Sequence, residues 1–124
     1  MPHLAEKIER RIAKTALGAE KMVNLSWSEQ ILGTLKELKT DGFVVVGLEN
    51  NLTNRKPLIL GGAEFSRWKN SVKQVVLILG EEVSGISQEL YGEIDDFLEI
   101  PMTGQKESFN VSVAAGIAMF ELVK

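Results

Sequence analysis

The chain has 124 residues, of which 44% are hydrophobic and 25% charged, with a formal net charge of −3. That composition fits an ordinary soluble globular domain with a modest core, and no apolar run is long enough to span a bilayer. The absence of cysteine excludes disulfides and thiolate metal sites, the single histidine, His3, argues against a zinc centre, and the acidic balance gives no bulk attraction to nucleic acid, so any RNA contact has to use a local patch.

The N-terminus is mixed in charge and lacks an apolar signal core, which predicts a cytosolic protein. Residues 4–16 predict a helix, with Leu4, Ile8 and Ile12 on one apolar ridge. Lys7, Arg10, Arg11 and Lys14 fall at helical spacing and share one side of it. They form either a solvated face, salted with Glu6 and Glu9, or a stripe that contacts phosphates. Gly18 would end this helix. Lys21-Met-Val-Asn-Leu-Ser-Trp27 reads as a short strand, with Ser26 or Ser28 available to cap the next helix.

Residues 29–39 predict an amphipathic helix, with Ile31, Leu32, Leu35 and Leu38 inward and Lys36, Glu37 and Lys39 outward. Asp41-Gly42 is its stop. Phe43-Val-Val-Val-Gly-Leu48 is a continuous apolar run, the mark of a strand covered on both faces in a parallel sheet. A polar loop over 49–56 comes next. Pro57-Leu-Ile-Leu60 reads as a short strand, Gly61-Gly62 as a break, and 63–69 as a turn of helix burying Phe65 and Trp68. Val75-Val-Leu-Ile-Leu79 is again a fully apolar strand and enters Gly80-Glu-Glu-Val-Ser-Gly85 directly. A short helix over 87–91 and a last strand over 97–100 complete the alternation, which predicts an α/β fold on a mainly parallel sheet with helices on both faces.

The C-terminal segment is apolar almost all round, from Phe109 through Val111, Val113, Ala114, Ala115, Ile117, Ala118, Met119 and Phe120 to Val123. Such a helix is buried in a core or pressed on a partner. Ser108 is the expected N-cap. Asn110 and Ser112, beside it, are polar groups that packing alone does not require.

Ligands of open α/β sheets bind beyond the carboxyl ends of the strands. Three segments gather there: Glu49-Asn50-Asn51, the 80–85 loop, and residues 100–104. Gly80 and Gly85 either let backbone approach a ligand closely or permit positive φ in a tight turn. The 80–85 loop is not a P-loop, because it lacks a Gly-Lys-Ser/Thr ending. A Ser-His-Asp set cannot be built around one N-terminal histidine. Glu81-Glu82 is either an acid/base pair or a solvated turn.

Leu77-Ile-Leu-Gly-Glu-Glu-Val-Ser-Gly-Ile-Ser87, Ile100-Pro-Met-Thr-Gly104 and Ser108-Phe-Asn-Val-Ser-Val-Ala114 resemble the C-terminal half of the SpoU/TrmH-type RNA methyltransferases of the SPOUT superfamily. Lys14-Thr-Ala-Leu-Gly-Ala-Glu20 and Phe43-Val-Val-Val-Gly-Leu-Glu49 resemble that family's middle segments more loosely. The resemblance implies one methyltransferase domain over 1–124, with a deep trefoil knot at the C-terminus, which the general rule against threaded loops would not suggest.

It also implies S-adenosylmethionine in the knot, held mostly by backbone, with contacts from Leu79, Gly80, Ile100, Met102, Phe109, Val113 and Ala114. Glu82, Ser108 and Asn110 would line the side where the ribose enters, for methyl transfer to a ribose 2′-hydroxyl. Such a displacement needs alignment of nucleophile and methyl, and help in removing the hydroxyl proton. The Lys7, Arg10, Arg11 and Lys14 stripe would meet tRNA or rRNA, and a homodimer would pack through the knot region, with no metal and no membrane.

Two departures from the family pattern stand out. Glu81 occupies a place where the family usually has Asn, Ser or a small residue. The family's first motif, an Asn and an Arg in a strand–helix unit, is not found, and Met1-Pro2-His3 reads as already past it. The first βα unit of the sheet is therefore expected to be missing, and this chain alone is expected to have little transferase activity. Two other readings stay open: a non-catalytic knotted dimer that binds cofactor or RNA, and an unrelated flavodoxin-like binding domain.

Overall fold

A computed structural model describes residues 28–50, 52, 54–81, 83–101 and 110–124. The expected helix over 4–16 with Lys7, Arg10, Arg11 and Lys14, the expected strand over 21–27, and the site residues Glu82, Met102, Ser108 and Phe109 lie outside the described residues. The chain divides into two units, Met1–Ile31 and Leu32–Lys124. In the first, the Ser28 hydroxyl accepts the Gln30 N–H at 3.1 Å.

Helix α1 (Ile31–Thr40) opens the described elements. It packs through Leu35, which is fully buried. Ile31, expected inward, is 47% exposed. The helix stops where Asp41-Gly42 said it would. Gly42 adopts φ +97°, its N–H donates to the Lys39 carbonyl, and Phe43 N–H donates to Leu38, each at 3.0 Å. This paired closure satisfies two terminal carbonyls and needs a left-handed residue.

Strand β1 (Val44–Leu48) is followed by the two-residue β2 (Leu58–Ile59), α2 (Ala63–Ser71), β3 (Val75–Leu79), a 3-10 turn (Gln88–Glu93), β4 (Asp96–Glu99) and α3 (Val111–Val123). The strands form one parallel sheet in the order β2-β4-β1-β3. The last strand thus begins and ends one residue earlier than expected. The short helix of 87–91 is a 3-10 turn, shifted by one residue at its start. The cap of α3 is Asn110 rather than Ser108: its side-chain oxygen accepts the Ser112 N–H at 2.8 Å, the usual reach of an N-cap to the second helical residue.

Alternation along the strands builds two cores. Val45, Ile78 and Phe97 face Leu35 of α1 and Ile86, Leu90 and Ile94 of the segment before β4. Val46, Leu98 and Ile100 face Leu60, Phe65 of α2 and Ala118 of α3. Helices therefore cover both faces, and the continuous apolar runs of β1 and β3 are the consequence. Asp95 pins the start of the central pair: its N–H donates to the Val45 carbonyl at 2.8 Å, and its Oδ2 accepts the Val45 N–H at 2.8 Å. Among the described residues no helix is long and apolar enough to cross a membrane.

Candidate functional site

The ends of β1 and β3 lie side by side, Leu48 paired with Leu79. Beyond them opens a cleft of about 330 Å³. Leu48, Glu49 and Asn50 line it from the end of β1, and Leu79, Gly80, Glu81 and Val83 to Ile86 from the end of β3. Gln88 and Tyr91 of the 3-10 turn and Val111 and Ala114 of α3 close it. The apolar wall is therefore built from strand ends and one helix turn, and the polar rim from loops.

The 80–85 loop doubles back on its own strand. Glu81 N–H donates to the Gly85 carbonyl at 3.1 Å, and Gly85 N–H returns the bond to Glu81 at 3.0 Å. Gly85 sits at φ +73°, a region that L side chains rarely adopt. Gly80 is needed for a different reason, because a Cβ there would lie 2.2 Å from the Gly85 carbonyl carbon. The Glu81 carboxylate is exposed and accepts the Ser84 hydroxyl at 2.9 Å. On Glu81, this is a solvated turn.

Glu49 ties three elements together. Its Oε2 accepts the Ile86 N–H at 3.2 Å and the Tyr91 hydroxyl at 3.3 Å. The Tyr91 phenol is held above its ordinary pKa of 10.0, first by burial, then by the Glu49 charge and by the hydrogen bond to it. Tyr91 packs on Phe97, ring centroids 5.0 Å apart. Arg55 straps the same region from outside. Its guanidinium donates to the Tyr91, Ile94 and Asp95 carbonyls at 3.3–3.4 Å and stacks 4.8 Å from the Phe97 centroid. Asn50 grips the other side of the site, bonding both the N–H and the carbonyl of Ile100.

Of the residues expected to hold a ligand, Leu79, Gly80 and Ala114 meet on this cleft. Ile100 is buried at the end of β4, fixed by Asn50 and off the cleft wall. Val113 is 51% exposed on α3, also off the wall, and Asn110 caps that helix. Glu82, Met102, Ser108 and Phe109 are outside the described residues. Glu49 and Asn50 were expected near the site, as found, but Tyr91 and its hydrogen bond to Glu49 were not. The one available signal was that Tyr91 is the chain's single tyrosine. Among the described residues no group of three or more His, Asp or Glu is placed to hold a metal.

Residues 1–120 match the SpoU rRNA Methylase family. The chain is 32% identical over 118 residues to the 23S rRNA (guanosine-2′-O-)-methyltransferase RlmB of Xylella fastidiosa, covering 94% of this chain and 43% of that protein. Its fold resembles the crystal structure of a TrmH/SpoU tRNA-modifying enzyme of A. aeolicus, with a TM-score of 0.70 and 29% identity over 89% of this chain and 51% of that one. It also resembles the SpoU methyltransferase AviRb of Streptomyces viridochromogenes, solved in complex with AdoMet, with a TM-score of 0.56 and 21% identity over 78% of this chain and 35% of that one. The chain thus spans about half the length of the proteins it matches, or less.

Proposed function

The chain belongs to the SpoU rRNA methylase family, and from that membership we propose that it serves S-adenosylmethionine-dependent methylation of a ribose 2′-hydroxyl in tRNA or rRNA. The observation that carries this reading is the meeting of Leu79, Gly80 and Ala114 around one cleft, although they come from separate sequence blocks.

The residues present fit that cofactor. A volume of about 330 Å³ lies in the range of small-molecule sites. Leu48, Leu79, Val111 and Ala114 offer apolar surface for a flat base, and Glu49, Asn50, Ser84 and Tyr91 offer polar groups for a sugar. When bound, S-adenosylmethionine supplies an electrophilic methyl group on a sulfonium. The chain's own part is to hold and orient. Leu79 and Ala114 present apolar faces, and Gly80 keeps backbone close to the ligand. Met102 and Phe109 belong to the same proposed cofactor set, as do Ile100 and Val113, although these last two stand off the wall of this cleft. Glu82, Ser108 and Asn110 form the ribose side, where a proton must leave the hydroxyl.

In this proposal residues 1–124 act as one domain with a C-terminal trefoil knot. Lys7, Arg10, Arg11 and Lys14 contact RNA phosphates, the exposed face of α3 forms a homodimer, and the protein works in the cytoplasm. The test is calorimetry with S-adenosylhomocysteine, run beside transfer of a labelled methyl group to bulk RNA. Binding together with transfer supports the reading. Binding without transfer favours a non-catalytic cofactor- or RNA-binding module, and no binding at millimolar ligand removes the cofactor.

A further inference from the structure

Among the described residues, Glu49 is the one carboxylate in the cleft whose position is fixed by two other elements. Both of its donors, the Ile86 N–H and the Tyr91 hydroxyl, reach the same oxygen, Oε2. Oε1 takes no hydrogen bond, and Glu49 forms no ion pair, among the described residues. An ionised carboxylate accepts at about four lone-pair sites, so Oε1, which lies against Gly85 in the cleft lining, keeps its accepting capacity among the described residues.

We propose that Glu49 binds the ribose of the cofactor, with Oε1 accepting from its vicinal hydroxyls. This rests on the S-adenosylmethionine reading above. Three features support the assignment. Glu49 comes directly after the last residue of β1 and touches the glycine loop at the end of β3: a Cβ on Gly85 would lie 2.8 Å from Oε1. An acidic side chain at a strand end, beside a glycine turn, is how nucleotide-binding α/β sheets recognise a ribose hydroxyl. A diol also supplies two neutral donors, which satisfy a partly buried carboxylate without a buried cation. Finally, the neighbouring wall is apolar through Leu48 and Leu79, which suits a base attached to that sugar. Tyr91 and Ile86 are then positioning groups that hold the carboxylate in one rotamer.

The experiment is calorimetry with S-adenosylhomocysteine and its 2′-deoxyribose analogue, on the wild type, Glu49→Gln and Tyr91→Phe. Gln keeps an oxygen for Ile86 and Tyr91 but removes the charge. The wild type should favour the ribose form about tenfold or more, the range of a hydrogen bond to a charged acceptor. In Glu49→Gln that ratio should fall to about twofold, while Tyr91→Phe keeps most of it. An unchanged ratio in Glu49→Gln, or no preference in a wild type that binds S-adenosylhomocysteine, overturns the assignment and leaves the cofactor reading standing. A wild type that binds neither ligand overturns both.

Discussion

Asn50 and Ile100 exchange two hydrogen bonds at the end of the sheet: Asn50 Oδ1 accepts the Ile100 N–H at 3.3 Å, and Asn50 Nδ2 donates to the Ile100 carbonyl at 3.4 Å. The side chain thereby continues the β1–β4 ladder past the point where the backbone of β1 turns away. Ile100 is only 6% exposed, so its peptide groups have little water to fall back on. Asn50→Ala should destabilise the fold by about 1–3 kcal/mol, the cost of leaving buried peptide groups unmatched. Asn50→Asp should do no better, since it keeps the acceptor but turns an anionic oxygen toward the Ile100 carbonyl. Urea midpoints for the three proteins check this, and an aspartate variant as stable as wild type would contradict it.

Gly80 is closed to any side chain by its own loop. With a Cβ at 2.2 Å from the Gly85 carbonyl carbon and 2.4 Å from the Ile86 nitrogen, the obstacle is backbone, which cannot rotate aside. Gly80→Ala should therefore open the Glu81–Gly85 bridge and cost at least about 1–3 kcal/mol, the range for overpacked sites. The same change displaces Ile86 and with it the donor to Glu49. Ligand affinity should fall more steeply than stability does, which calorimetry and thermal melts on the same preparation would separate.

These two sites mark how far the sequence could be read. The strands β1 and β3 were legible because a run such as Val44-Val45-Val46 has one good environment, a sheet covered twice. Asp41-Gly42 announced the end of α1 because only a left-handed residue closes a helix that way. The two glycines of the 80–85 loop were legible as a choice, approach to a ligand or positive φ: Gly85 takes the positive φ, whereas Gly80 makes room for the loop's own backbone. The polar clasps were not legible. Glu49 and Tyr91 are 42 positions apart, and Asn50 and Ile100 are 50 apart. Periodicity speaks only to residues within a turn or a pleat of each other. Arg55 was hidden for the same reason, a cation in a polar loop whose partners are three distant carbonyls.

The raised pKa of Tyr91 gives a pH dependence with a definite sign. Burial and the Glu49 charge both favour the neutral phenol in the folded state. A group whose folded pKa is raised contributes stability that is full below its unfolded value and is lost as pH rises through the folded one. The loss from Tyr91 therefore begins near pH 10, the ordinary tyrosine value, and continues above it. The melting temperature of the wild type should fall across that window, and Tyr91→Phe should fall less. Because the chain has one tyrosine, its phenolate absorbance can be titrated without ambiguity. A midpoint at or below 10 in the folded protein would contradict the burial argument.

Helix α3 carries the last prediction. Ala115 and Ala118 are buried against the sheet, whereas Val113, Met119, Phe120 and Val123 are 51–83% exposed. One face of this apolar helix is thus covered within the chain, and the other presents large side chains to solvent. An exposed patch of this kind is the usual mark of an interface, and the proposed homodimer uses it. Phe120→Glu places a charge at 63% exposure, where it costs the folded monomer little but is unfavourable in a desolvated interface. Sedimentation velocity at micromolar concentration should give a dimer for the wild type and a monomer for Phe120→Glu, with the same helical circular dichroism in both. A monomeric wild type would remove the dimer, and a variant that stays dimeric would move the interface off this face.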